Sequence, residues 1–259
     1  MDLGLAGRKA IVCASSRGLG KACARALAEA GCEVVINGRD AKTLAATAAE
    51  LSQLTGAKVI AVAADVVTAD GQKALLTACP QPDILINNNA GPPLRDFREL
   101  SRQQMIDGLT ANMIVAVELI QKVIDPMLQR RFGRIVNITS GAVKAPLAGL
   151  DLSSGARAGL TAFLAGVART VADKNVTINN ILPGAFDTDR LRGTLSKAAE
   201  TRGKSIAQVA ADRINSIPAK RFGNPAEFGA ACAFLCSTHA GYITGQNLLI
   251  DGGSFPGAF

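Results

Sequence analysis

Apolar and polar positions along the chain fall into two alternating textures. Short apolar or β-branched runs, KAIVCA (9–14), EVVIN (33–37), KVIAVAA (58–64), DILIN (83–87), RIVNIT (134–139), VTINNIL (176–182) and NLLI (247–250), each predict a strand. Between them the apolar positions recur with helical period at 18–30, 41–54, 69–78, 101–129, 153–172 and 225–236. Strand followed by helix, repeated without interruption, is the pattern of a parallel sheet covered on both faces, because each parallel connection needs a crossover. No Gly/Pro/Ser-rich linker divides the series, so residues 1–259 are expected to form one α/β domain, a doubly wound Rossmann-type fold with about seven strands.

The boundaries carry matching chemistry. Asp40 and Ser101 precede helical stretches, and Asn224 with Pro225 reads as an N-cap followed by proline at the first helical position. One segment breaks the rhythm. Residues 187–217, DTDRLRGTLSKAAETRGKSIAQVAADRINSI, are rich in charge, and read either as a substrate lid or as a plain solvent-exposed pair of helices.

Composition changes the picture only at the margins. Apolar residues make up 48% and charged residues 19%, the balance of a chain that buries a core. The net charge of +7 is scattered among acids, without the basic run or interleaved aromatics of a nucleic-acid surface. Six cysteines lie mainly in apolar stretches, no CxxC pair occurs, and His239 is the only histidine, which argues against a metal site and for reduced thiols in the cytoplasm. The start of the chain leaves no room for a secretory signal before the first strand, and no apolar run is long enough to span a bilayer, so no membrane partner is expected.

Candidate chemistry begins directly after the first strand, in CASSRGLGKACARALAEAG (13–31). Gly18 and Gly20 allow backbone amides to approach a pyrophosphate at the positive end of a helix, so Ser15, Ser16, Arg17, Gly18, Leu19 and Gly20 form the expected cradle. At the end of the second strand, Gly38 and Arg39 stand where an NAD enzyme would place a carboxylate. An arginine pairs with a 2′-phosphate where an acid would repel it, so NADP is expected over NAD, with Arg17 as a second cation. Asp40 is assigned to helix capping instead.

Over essentially its whole length the chain resembles the short-chain dehydrogenase/reductase family, in the style of its ketoacyl-reductase members. That family's TGxxxGxG appears here as CASSRGLG, with Cys13 and Ala14 replacing threonine and the first glycine. The resemblance implies that Asp65 and Val66 hold adenine, that Asn88, Asn89 and Ala90 of INNNA border the cofactor, and that Pro183, Gly184 and Thr188 of PGAFDT lie near the nicotinamide amide. It also implies an active site of serine, asparagine, tyrosine and lysine. Ser140 and Asn112 match the first two, but Ser153 and Arg157 occupy the tyrosine and lysine positions, four apart on one helical face. The only tyrosine of the chain, Tyr242, falls in a segment that the resemblance makes structural.

Arg157 can still donate to ribose oxygens, but it is no neutral proton carrier. Ser153 is too short and too weak an acid to replace a phenol. A water held by Ser153 and Asn112 is the expected proton source, with Lys144 and Asp151 as weaker candidates. The resulting expectation is an NADP-dependent oxidoreductase on a small carbonyl or alcohol substrate, 3-oxoacyl-reductase-like, with a non-standard proton donor. The alternative is a catalytically impaired nucleotide-binding or interaction protein, supported by the missing Tyr and Lys and the edited glycine loop. The helix ARAGLTAFLAGVARTVA (156–172) is apolar or small on most faces, including Ala156, Leu160, Phe163, Leu164 and Val167, which predicts a homodimer or homotetramer built partly on it.

Overall fold

A computed structural model describes residues 1–92 and 94–258. Seven parallel strands form one sheet: β1 (Lys9–Val12), β2 (Glu33–Gly38), β3 (Val59–Ala63), β4 (Ile84–Asn87), β5 (Gly133–Ile138), β6 (Val176–Pro183) and β7 (Asn247–Ile250), in the order β3-β2-β1-β4-β5-β6-β7. The order reverses between β1 and β4, and a crevice opens at the carboxyl ends of strands on either side of such a switch. The expected fold class is the observed one.

Helices cover both faces. Val12, Val34, Ile36, Ile86, Val136 and Ile181 meet α1 (Gly18–Glu29), α2 (Ala41–Thr55) and α9 (Pro225–Cys236) on one side. On the other, Ile11, Val35, Leu85, Ile135 and Ile178 meet α3 (Ala69–Ala78), α5 (Val115–Arg130) and α6 (Asp151–Val171). Alternate residues of each strand serve opposite faces, which is why central strands read as continuous apolar runs. The expected caps form: Asp40 accepts from the Thr43 amide at 2.7 Å, and Ser101 and Asn224 each close a capping box.

One stretch is more divided than its sequence pattern, and a second takes the form of a helical pair. The single helix expected over 101–129 is α4 (Arg102–Leu109), a π-helical turn (Thr110–Ile114) and α5. Residues 187–217 hold α7 (Asp189–Arg202) and α8 (Ile206–Ser216), which share a small apolar cluster of Leu195, Ala199 and Val209. No helix among the described residues is long and apolar enough to cross a membrane.

A polar device crosses the apolar sheet. Asn87, Asn137, Asn180 and Asn247 occupy matching register positions on β4, β5, β6 and β7. Each Nδ2 donates to the next Oδ1, at 2.9, 3.0 and 2.8 Å in turn. Every amide in this ladder points the same way, so Asn87 Oδ1 is left as the buried acceptor at its inner end, without a partner among the described residues.

Candidate active site

The loop between β1 and α1 is shaped by exclusion. A Cβ on Gly20 would overlap the Ala14 carbonyl oxygen and come within 2.9 Å of Asn88 Nδ2, so only glycine fits where α1 begins. Gly18 has φ of +59°, a conformation open to glycine at little cost. Ala14, at the position of the family's first glycine, is forced to φ of +44° despite its Cβ. No side chain caps the start of α1, which leaves its first amides to the crevice.

The residues expected to hold a nucleotide divide into two groups. Ser15 is fully buried; its hydroxyl donates to the Val12 carbonyl at 2.6 Å and accepts from the Asn37 amide at 3.0 Å, so it braces the loop from behind. Asn88 does likewise from β4, donating to the Ala14 carbonyl at 3.0 Å. The Ser16 carbonyl accepts from Thr47, and Asp65 turns its carboxylate to the Val67 amide, with Val66 buried beside it. Arg17 and Arg39 are exposed and Leu19 is half-buried. Asp40 is held below the usual carboxylate range by its hydrogen bond from Thr43, with the Arg17 charge a smaller cause. Arg39 forms no ion pair among the described residues.

At the other side of the crevice, Pro183 ends β6, and Gly184 packs where a Cβ would stand 2.6 Å from Asp251. Thr188 caps α7 and sets its methyl 3.8 Å from the position a Cβ on Gly18 would take, so the start of α7 reaches over the glycine loop.

Arg157 contacts Ser153 directly and lines a small cavity with Asn112. Its side chain is only 7% exposed, and it donates to the Ile138 carbonyl at 2.7 Å, the Ser153 hydroxyl at 3.3 Å and the Asn89 carbonyl at 3.4 Å. Asn89 is fixed in turn, donating to the Ala111 carbonyl at 3.1 Å and accepting from the Ala90 amide at 2.8 Å. Burial, and secondarily the charge of Arg190, lowers the Arg157 pKa to about 10. The guanidinium stays charged at neutral pH.

Ser140 ends the β5 segment and caps a 3₁₀ turn (Gly141–Val143), accepting from the Ala142 amide at 3.1 Å. Its hydroxyl hydrogen remains available to a ligand. Asn112, in the π-turn, donates to the Gly108 carbonyl at 3.1 Å and leaves a buried Oδ1 without a partner among the described residues. Asn112 lines a cavity of about 20 Å³ together with Asn87, Asn137 and Arg157, a size that suits one water. A larger cavity of about 300 Å³ lies on the other side of Asn112, walled by Gly91, Arg95, Gln104, Asp107 and Leu152 among others.

Ser153 makes a contact to Arg157, not to Asn112, so no direct Ser153–Asn112 pair forms. Lys144 stacks on the Phe255 ring at 5.6 Å, and Asp151 accepts from the Gly149 amide at 3.2 Å. Tyr242 is fully exposed in the turn before β7. Sequence reasoning missed the Asn87 ladder and Arg190. The ladder had a signal, an asparagine in each of four successive strand-like runs; Arg190 had none, because its partner surface is distant in sequence.

The chain as a whole is similar to known proteins. A family model described as enoyl-(acyl carrier protein) reductase matches residues 13–254. The chain is 32% identical over 257 residues to 3-oxoacyl-[acyl-carrier-protein] reductase FabG of Vibrio cholerae, covering 98% of this chain and 99% of that one. It is 31% identical over 256 residues to NADPH-dependent reductase BacG of Bacillus subtilis, covering 95% and 97%. Among solved structures, L-sorbose reductase from Gluconobacter frateurii complexed with NADPH and L-sorbose superposes with a TM-score of 0.92 at 28% identity, covering 98% of both chains. With the seven-stranded fold, the glycine loop and a family match over nearly its full length, the chain belongs to the short-chain dehydrogenase/reductase family of NAD(P)-dependent oxidoreductases.

Proposed function

We propose that the protein is an NADP-dependent reductase of a small carbonyl compound, or the reverse alcohol dehydrogenase, 3-oxoacyl-reductase-like in its ancestry and unusual in its proton donor. The observation that carries this reading is Arg157 bound to the Ile138 carbonyl, two residues before Ser140, and to Ser153 and Asn89, in a chain whose glycine loop admits no side chain at Gly20. The residues present fit the cofactor: Gly18 and Gly20 for the diphosphate, Arg39 and Arg17 for a 2′-phosphate, Asp65 and Val66 for adenine, and Asn89, Ala90, Pro183, Gly184 and Thr188 for the nicotinamide half. Bound there, NADPH supplies the hydride.

The chain's own residues then have separate tasks. Ser140 donates to the reacting oxygen as charge develops on it. Arg157 orients the ribose with its remaining N–H groups. With no phenol at position 153, a water supplies the proton, held by the Asn112 side chain beside the guanidinium. General acid catalysis contributes about 10² to 10⁴ in rate, whereas positioning of two reactants supplies about 7 to 11 kcal/mol, so loss of the phenol leaves most of the catalytic power in place.

The α7–α8 pair serves as the substrate lid within a single domain. Phe163 on α6 is exposed, as are Met105, Ile106 and Leu109 on α4 and Ile114 in the π-turn, and this surface carries a homodimer or homotetramer interface. Light scattering at micromolar concentration is expected to give the mass of at least two chains, and a monomer overturns that assignment. Six free, buried cysteines support a reducing, cytoplasmic setting.

Two measurements test the function together: NADPH and NADH binding to the purified protein, and turnover across a panel of ketones, aldehydes and 3-oxo esters. NADPH binding with turnover is expected. Binding without any turnover supports the noncatalytic reading instead.

A further inference from the structure

One buried residue of α3 engages both N–H groups and the oxygen of its side-chain amide, and none of these partners belongs to its own helix. Gln72 is only 1% exposed. Its Nε2 donates to Glu118 Oε2 on α5 at 2.7 Å and to the Val66 carbonyl at 3.3 Å, and its Oε1 accepts from Lys122 Nζ. Glu118 and Lys122 stand one turn apart on α5, at the i, i+4 spacing of an ion pair, yet they form no such pair among the described residues. The acid takes the nitrogen end of the Gln72 amide and the ammonium takes the oxygen end. These two charges therefore decide which way round the amide lies, and its second N–H is left for Val66.

Val66 lies in the turn between β3 and α3, and the peptide before it is fixed as well. The Asp65 carbonyl accepts from the Thr68 amide at 3.1 Å and from the Thr68 hydroxyl at 2.9 Å. Gly71 closes on the same oxygen so tightly that a Cβ there would stand 1.9 Å from it. The Asp65–Val66 peptide thus turns its carbonyl toward α3, and in a trans peptide the N–H points the opposite way. The Val66 N–H has no hydrogen-bond partner among the described residues, although Val66 is only 3% exposed. A backbone N–H so placed is nearly always paired, so this donor is one held for a ligand. Both peptides that flank Val66 are pinned, the first by Thr68 and the second by Gln72.

An aliphatic side chain fills a buried position at less cost than an amide that needs an acid and an ammonium group to match it. What the amide adds is direction. We propose that Gln72 is a positioning residue for the base of the cofactor: it holds the Val66 peptide so that the free N–H meets an acceptor on the adenine ring, and Glu118 and Lys122 set its amide for that task. Gln72 acts through Val66 and takes no part in the chemistry. The inference rests on the cofactor reading above, which assigns adenine to Asp65 and Val66.

The test is calorimetric titration with NADPH and with its hypoxanthine analogue, in which an oxo group replaces the amino group and the neighbouring ring nitrogen carries a hydrogen. Donor and acceptor are reversed along that edge, so an N–H matched to adenine faces another N–H. The wild-type protein is expected to bind NADPH more tightly than the analogue. Two variants remove the Gln72 contact: Gln72→Leu, and the exchange Glu118→Lys with Lys122→Glu, which turns the amide end for end and sets its oxygen against the Val66 carbonyl. Each is expected to lower NADPH affinity roughly three- to tenfold, the worth of one hydrogen bond, and to leave the analogue's affinity unchanged, so the discrimination shrinks. Glu118→Gln keeps an acceptor for the amide and is expected to keep the discrimination. Lys122 is exposed and Glu118 half-buried, so the exchange is expected to fold even where a changed side chain at 72 does not. Equal binding of both cofactors by the wild type, or unchanged NADPH affinity in the exchange variant, overturns the proposal. So does an equal loss for both cofactors in that variant, which reads as a general loosening of the fold. Failure of the wild type to bind NADPH at all is a distinct result, and brings down the cofactor reading together with the inference built on it.

Discussion

The glycine loop and the first turns of α6 approach the same crevice from opposite sides, and they meet at two adjacent asparagines. Asn88 braces the loop through the Ala14 carbonyl, and Asn89 offers its own carbonyl to Arg157. On the loop side the proposed contacts are backbone: amides at a helix start, a glycine with no room for Cβ, an αL turn. Replacement of threonine and glycine by Cys13 and Ala14 leaves that backbone path in place. On the α6 side the work is done by side-chain atoms, and Ser153 and Arg157 change what can be protonated, what is charged and what space is open. Backbone-built function survives substitution of the residues around it, whereas side-chain chemistry changes with each residue.

The sharpest way to break this contrast is Gly20→Ala. The added methyl meets the Ala14 carbonyl, which is backbone and has no rotamer to escape into. The expected result is about 1 to 3 kcal/mol of lost stability by denaturant melts and a loss of measurable NADPH binding. An alanine variant that binds NADPH normally shows that the loop is not the cradle. Next in size is Arg39→Ala, expected to weaken NADPH by about 1 to 3 kcal/mol and NADH hardly at all. The ratio of the two dissociation constants is the measurement, and equal losses remove Arg39 from the 2′-phosphate.

On the side-chain half, Ser140→Ala is expected to lower kcat by about tenfold or more, because it removes a donor aimed at developing charge. It also removes the cap of the 3₁₀ turn, at about 1 kcal/mol of stability, so the melt is recorded alongside the kinetics. Ser153→Ala is expected to cost less, since only a 3.3 Å contact to Arg157 is lost. The reverse order, with Ser153→Ala inactive and Ser140→Ala intact, gives Ser153 a direct chemical role and ends the water-donor model. The smallest effect sharpens the backbone half: Ala14→Gly relieves a positive φ and is expected to raise stability by roughly 0.5 to 1 kcal/mol with NADPH affinity kept.

The sheet was legible because its signal is local. The strand runs and the boundaries of α3 and α9 follow from apolar period and cap residues within a few positions. The break at Thr110–Ile114 was not, since a π-turn keeps the helical texture while shifting which side chains face inward, and that shift is what buries Asn112. Residues 187–217 were legible as an interruption and, in one of two readings, as a pair of helices, but these are too weakly apolar to announce the small cluster they share.

By itself the sequence determined the alternation of strand and helix, the glycine loop, the arginine after β2, and the absence of a tyrosine at position 153, all of which are properties of neighbours in the chain. Tertiary structure alone decided the electrostatic state of the site. Residue 157 is a buried cation because α6 packs against β6 and the π-turn and carries the guanidinium to the Ile138 carbonyl at the end of β5. Residue 190 reaches Gly91 because the connection after β6 returns over it. The amide ladder points one way because four strands align in register. Charge, burial and hydrogen-bond direction depend on groups tens of residues apart, and no local pattern encodes a sum taken over the fold.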